Sequence, residues 1–152
     1  GPCIAKKVEA REHRETINYV LSFEEIMCML EGKDIKFAEM SGDAAYERDA
    51  SKLGLSFPLT AGVSAAVQDT VAAMGGEVHN AQYCSGLDKC RDTVKAAAAG
   101  KLDCSYIEGM ACPNGCIDGP DTVGDFHITK VALTKYAAAA PNKQAAQDKH
   151  TK

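Results

Sequence analysis

The sequence predicts an α/β domain built on a small mixed or mostly parallel sheet flanked by helices. Three observations carry that prediction. Strand-like and helix-like segments alternate along the chain, the order expected of parallel strands joined by crossover helices. Glycines stand where helical patterns stop, at Gly32, Gly75, Gly76 and Gly100. A chain of 152 residues, 45% hydrophobic and 25% charged, has room for one hydrophobic core.

The elements follow in order. "INYVLSF", Ile17 to Phe23, reads as a short strand running into a helix. Ser22 and Glu25 make an S-x-x-E capping box for "FEEIMCMLEG", and Gly32 supplies its stop. Ile26, Met29 and Leu30 share one face of that helix, which predicts core packing; Met27 and Cys28 flank it, with Cys28 an inert small apolar residue. The next stretch, "KDIKFAEMSGDAAYERDASKLG", is polar and glycine-broken, a surface excursion with a short helix. Its carboxylates Asp43, Glu47 and Asp49 alternate with Lys and Arg, the pattern of a solvated face.

"TAGVSAAVQDTVAAMGG" is the clearest helix, capped by Thr60, with Val63, Val67 and Val71 recurring every four residues. Small residues crowd its first turns (Ala61, Gly62, Ser64), so another part of the chain can approach that end closely. A strand in "EVHNAQYCSG", a helix in "LDKCRDTVKAAAAG" and a strand in "KLDCSYIEGMA" follow, the last with Leu102, Cys104, Tyr106 and Glu108 on one face. After a glycine-rich loop, "ITKVALTKYAAAA" is helical up to Pro141. Residues 1–140 therefore form the domain, and residues 141–152 a polar tail expected to be mobile.

Bulk properties narrow the functional classes. A net charge of −4 gives no basic face for nucleic acid. No apolar run approaches the roughly 20 residues of a membrane span, and no signal-peptide pattern opens the chain. Seven cysteines, an odd number, argue against a fully paired disulfide framework and for reduced thiols in the cytoplasm. The opening "GPCIAKKVEAR" lacks an initiator Met and predicts a trimmed fragment of a longer chain.

Chemistry is sought among the thiols. Cys84 and Cys104, placed in strands, and Cys90, in a helix beside Leu87 and Val94, read as structural. Cys112 and Cys116 lie in "EGMACPNGCIDG", a loop with too much glycine and proline to pack for its own sake. Zinc sites favour C-x-x-C pairs, and no second such pair completes one here. Position 119 is glycine, so the loop is not a C-x-x-x-C-x-x-C motif either. Iron–sulfur clusters do take thiolates from irregular, glycine-containing segments. Cys3, in "PCIAKK", is a further candidate, since Lys6 stands three residues on and a nearby lysine favours the thiolate; the plain alternative is a solvated basic turn.

"PCIAKKVE" fits P-C-x-x-K-x-x-E, and "EGMACPNGCIDG" fits E-x-M-x-C-x-x-G-C-x-x-G. In this order the two resemble the second and third signature motifs of the iron-only ([FeFe]) hydrogenase catalytic domain. "SFPLTAGVSAAV" resembles that family's F-G-x-T-G-G-V segment, and "YVLSFEEI" its V-L-T-x-E-E-L segment. The resemblance extends to about Ala140. It implies one lobe of the hydrogenase catalytic domain, a cytoplasmic oxidoreductase that reversibly reduces protons to H2 with electrons from ferredoxin or a similar carrier. Cys3, Cys112 and Cys116 would hold the [4Fe–4S] part of the active-site H-cluster, with Cys116 also bridging to its diiron subsite. Lys6 would donate a hydrogen bond to a cyanide on that subsite. Met110 would pack against the diiron carbonyls, and Phe57 would help close the pocket.

Departures from the family pattern carry expectations of their own. The family's first motif, T-S-C-C-P-x-W, supplies the remaining cluster ligand and is absent from these 152 residues. The chain alone is thus expected to lack the cluster, to be inactive, and to need the N-terminal remainder of the same polypeptide. Its Cys112 loop is expected to be partly disordered without metal, and its open side to favour self-association. Pro58 and Ala61 replace glycines, and G-G-G-x-P shortens to Gly119–Pro120, which resembles divergent, sensory or low-activity branches. Two further readings stand beside hydrogenase catalysis: an iron–sulfur protein for sensing or cluster assembly, and an α/β fold whose cysteines bind nothing.

Overall fold

The computed structural model describes residues 1–41 and 50–144. The chain enters a helix at once: α1 spans Ile4–Glu12, where the sequence offers no capping signal. Cys3 precedes it in extended conformation and caps nothing. What sustains α1 is propensity, since "IAKKVEARE" is rich in Ala, Lys and Glu, together with the Lys6–Glu9 pair one turn apart.

Residues 17–22, expected as a strand, pair with no strand among the described residues. β-branched residues alone do not make a strand without a neighbour to take up their backbone hydrogen bonds. This segment is instead tied to α1 by Lys7, whose ammonium donates to Val20 O at 3.1 Å and to the Glu25 carboxylate at 2.6 Å. The predicted capping box is present in full. Ser22 Oγ accepts from the Glu25 N–H at 3.1 Å, and the Glu25 carboxylate accepts from the Ser22 N–H at 2.8 Å. Helix α2 runs Phe23–Glu31 and stops at Gly32.

The expected core face of α2 is uncovered. Met29 is 58% exposed and Ile26 37%, and Cys28 is exposed rather than buried. A 3-10 turn at Phe37–Glu39 follows. Asp43, Glu47 and Asp49 fall outside the described residues, as do residues 145–152 of the tail. Helix α3, Lys52–Leu55, is the short helix expected at the end of the polar stretch, and Ser51 Oγ caps it by accepting from Gly54 N–H at 3.0 Å.

Helix α4 spans Gly62–Ala73. Strand β1, Gln82–Ser85, is followed by helix α5, Leu87–Ala98, and strand β2, Ile107–Met110. The strands pair in parallel, Gln82 against Ile107 through Ser85 against Met110, with α5 as the crossover. This is the parallel βαβ arrangement that the alternation predicts, reduced to two strands and with both shorter than the sequence pattern. Cys104 lies before β2 rather than in it. Helix α6, Phe126–Ala138, is capped by Asp125, which accepts from the N–H groups of His127 and Ile128.

The buried side chains among the described residues are mostly small: Ala10, Ala66, Ala137, Ala140, Cys84, Ser51 and Ser64, with Ile117 the largest apolar one. Larger apolar side chains such as Ile128, Phe37 and Val131 stay exposed. The chain presents 10797 Å² of accessible surface at 16.1 kDa, where a compact monomer of that mass presents roughly 7,400 Å². Among the described residues no helix is long and apolar enough to cross a membrane.

Candidate metal centre

The glycine-rich loop is shaped by close backbone contacts. Gly115 has φ +94, and a Cβ there would stand 2.5 Å from Pro58 O and 2.9 Å from Thr60 N. Only glycine fits both the conformation and the space. This closeness lets Gly115 bridge antiparallel to Leu59, and lets the Cys116 N–H donate to Pro58 O at 2.8 Å. One 3-10 turn later, Cys116–Asp118, the chain reaches Gly119, where a Cβ would stand 2.3 Å from Pro2 O. That contact seats the Pro2–Cys3 segment against the end of the loop. The glycines of "EGMACPNGCIDG" are thus used to bring two other stretches of backbone to the cysteines.

The Cys112 thiol feels the other two. Burial pushes the Cys112 thiol up from its ordinary value, and Cys3, Cys116 and Asp118 add to the shift. Cys3, distant in sequence, and Cys116, in the same loop, therefore both lie within electrostatic reach of Cys112. Among the described residues no three His, Cys, Asp or Glu side chains converge tightly enough to hold a single metal ion. An iron–sulfur cluster makes a different demand, since its cysteines bind separate irons. A donor set of soft sulfurs, each anchored by backbone, suits such a cluster better than it suits zinc or a hard cation. The three sulfurs fit that group as part of a ligand set. The Cys116 side also opens onto an apolar cleft of about 440 Å³, lined by Pro2, Phe23, Pro58, Ile117 and Leu133.

Lys6 is exposed and pairs with Glu9. That carboxylate holds the Lys6 ammonium above its ordinary value, with smaller contributions in the same direction from Cys3 and Cys116. Lys6 is thus near the thiols, yet its nearest partner is Glu9. Met110 ends β2, two residues before Cys112, and is half-buried. Phe57 is 44% exposed and adjoins Pro58, whose carbonyl holds Cys116.

Glu108, which the sequence pattern placed merely on a strand face, is a structural centre of the site. Its side chain is buried, and its carboxylate accepts from Ala61 N–H at 3.0 Å and Ser64 N–H at 2.6 Å. A carboxylate from β2 thus caps α4, satisfying two of its free N–H groups and complementing its dipole. Thr60, the expected cap, does not do so, and its buried Oγ1 has no hydrogen-bond partner among the described residues. Ala61 sits at the cap position with φ +67, in the left-handed region. Gly62 takes the closest approach, where a Cβ would stand 2.0 Å from Ser56 O. The small residues at the start of α4 were the signal: they admit Glu108 from one side and the 56–57 backbone from another.

No curated protein matches the chain significantly. A family model described as "Iron only hydrogenase large subunit, C-terminal domain" matches residues 1–120.

Proposed function

The chain belongs to the family formed by the C-terminal domain of the iron-only hydrogenase large subunit, and on that premise we propose that Cys3, Cys112 and Cys116 are ligands of its iron–sulfur cluster. The [4Fe–4S] cluster and its diiron subsite would supply the redox chemistry that interconverts protons, electrons and H2, with the protein providing ligation, orientation and dryness. The chain's own residues divide the remaining work. Cys3, Cys112 and Cys116 would hold the cluster through their thiolates. Lys6, paired with Glu9 in this structure, would supply an ammonium for hydrogen bonding to an anionic ligand of the diiron subsite. Met110 and Phe57 form apolar walls that exclude water. Electrons come from ferredoxin or a similar carrier. The gathered site offers three thiols where a four-iron cluster takes four ligands, so this chain alone turns over no H2. The fourth ligand comes from another part of the same polypeptide.

The observation that carries this reading is the contact of Gly119 on Pro2, which brings the Cys3 segment to the Cys112–Cys116 loop, itself held by Gly115 on Pro58. Anaerobic reconstitution with iron and sulfide, read by EPR and by infrared bands of Fe–CO and Fe–CN in the longer polypeptide, tests it. Replacement of Cys3, Cys112 or Cys116 by Ala should abolish the cluster signal, and replacement of Cys28 should not. A cluster that survives loss of all three thiols overturns the proposal.

A second reading, an iron–sulfur protein that senses or assembles clusters without H2 turnover, draws support from Lys6. Its partnership with Glu9 leaves the ammonium turned to a carboxylate rather than free for a cyanide. Iron–sulfur EPR without Fe–CN bands would favour this reading.

A further inference from the structure

We propose that Cys84 and Cys90 form a reversible dithiol–disulfide couple, a modification site oxidised by hydrogen peroxide. The two sulfurs lie 3.4 Å apart, in contact and unbonded. Secondary structure holds them there. Cys84 belongs to β1, and Cys90 stands in the first turn of α5, where its N–H donates to Gly86 O at 3.0 Å. No side chain separates them from β2, because the residue facing them is Gly109. A Cβ at that position would stand 3.5 Å from Cys90 Sγ and 3.9 Å from Cys84 Sγ.

A second observation places the pair close to solvent. Cys84, itself buried, forms part of the floor of an open surface depression of about 460 Å³ shared with Tyr83, Ser85, Lys89 and Thr93. The depression, which Lys89 and Asp92 also line, brings solvent and any small neutral oxidant in it up to the residue. Burial pushes the Cys90 thiol up, which disfavours it as the first nucleophile. Cys84 sulfur attacks one peroxide oxygen, the O–O bond breaks, and a sulfenic acid and one water result. Cys90 sulfur then displaces the hydroxyl as a second water and forms the S–S bond. The two thiols lose two protons and two electrons in total, and one H2O2 becomes two waters.

The change is felt next to the metal centre. The Cys90 thiol lies 3.3 Å from Met110 O, and oxidation removes that donor. Met110 is the last residue of β2, from which the Cys112 loop departs. The couple therefore registers oxidant two residues from a candidate cluster ligand, and it does so whether or not the cluster reading holds.

The test is peroxide treatment of the reduced chain, quenching with N-ethylmaleimide, cleavage after Lys and Arg, and mass spectrometry. Cleavage after Lys89 puts the two cysteines on separate peptides, so their disulfide appears as a linked pair that dithiothreitol releases. We expect the Cys84–Cys90 link, with loss of two hydrogens, in roughly tenfold excess over any other cysteine pairing, since contact raises the effective concentration of the second thiol. In Cys90→Ser, dimedone should trap a sulfenic acid on Cys84. A pair that stays reduced while exposed Cys28 is oxidised overturns the proposal, as do links from Cys84 spread evenly over the other cysteines. The linkage map of the unmutated chain decides the matter even if the variant does not fold.

Discussion

Two thiol-bearing regions of this molecule are built in opposite ways. Cys84 and Cys90 touch, and ordinary elements hold them: a strand, a crossover helix and the glycine of the neighbouring strand. Cys3 and Cys116 both act on Cys112 without the three converging on one ion, and irregular backbone pressed against irregular backbone holds them. Touching sulfurs suit a bond between themselves. Spaced sulfurs on anchored loops suit something placed between them. In this chain glycine decides which is built, by removing the side chain that would keep the second segment away.

The contrast can be broken at several points. Gly115→Ala should have the largest effect, because its Cβ meets Pro58 O in a backbone conformation that alanine resists. Strain and overpacking together cost about 3 kcal/mol, enough to release the loop. Urea unfolding should show the loss, and iron uptake at the site should fall while the Cys84–Cys90 link still forms in the folded fraction. Glu108→Ala comes next. It strands the N–H groups of Ala61 and Ser64 at the start of α4 and should cost about 2–3 kcal/mol. Glu108→Gln retains an acceptor and should cost less; equal losses from the two variants would argue against a capping role.

Ser22→Ala removes the cap of α2 and should cost about 1 kcal/mol in urea unfolding, with the Cys84–Cys90 link still forming. The same box has a pH signature. Lys7 beside it, with the Ser22 N–H, holds the Glu25 carboxyl below its ordinary value. Its contribution is therefore present above the ordinary carboxylate range and is lost as pH falls through the lowered value. Acid titration followed by circular dichroism should show α2 loosening there in the native chain and not in Glu25→Gln. The smallest effect is expected from Ala61→Gly. Relief of the left-handed strain at φ +67 outweighs the greater freedom of glycine in the unfolded chain by about 0.5 kcal/mol, a gain in stability.

What was legible in the sequence was local. Ser22 with Glu25 announced a helix start because the box is closed within four residues, and Gly100 announced the end of α5 in the same way. The parallel pairing of β1 and β2 followed from strand, helix and strand in succession. What failed depended on partners elsewhere. Ile17 to Phe23 had the composition of a strand but no neighbour to pair with, and α1 formed without a cap. The stripe of Ile26, Met29 and Leu30 marked the apolar face of α2, but periodicity does not say whether anything covers it. Glu108 was the largest omission: its role exists only because a helix start 44 residues earlier in the chain lies against β2. At the candidate site the cysteines were legible from their loop. Lys6's preference for Glu9 and the contact of Gly119 with Pro2 were not.

The central claim, that Cys3 lies beside Cys112 and Cys116 in the folded chain, is tested most directly with dibromobimane, which bridges neighbouring thiols and fluoresces when both of its arms have reacted. Peptide mapping of the folded, reduced chain should recover residue 3 joined to residue 112 or 116, and that link should vanish in urea. Bimane bridges confined to Cys84 and Cys90, with Cys3 labelled alone, would contradict it.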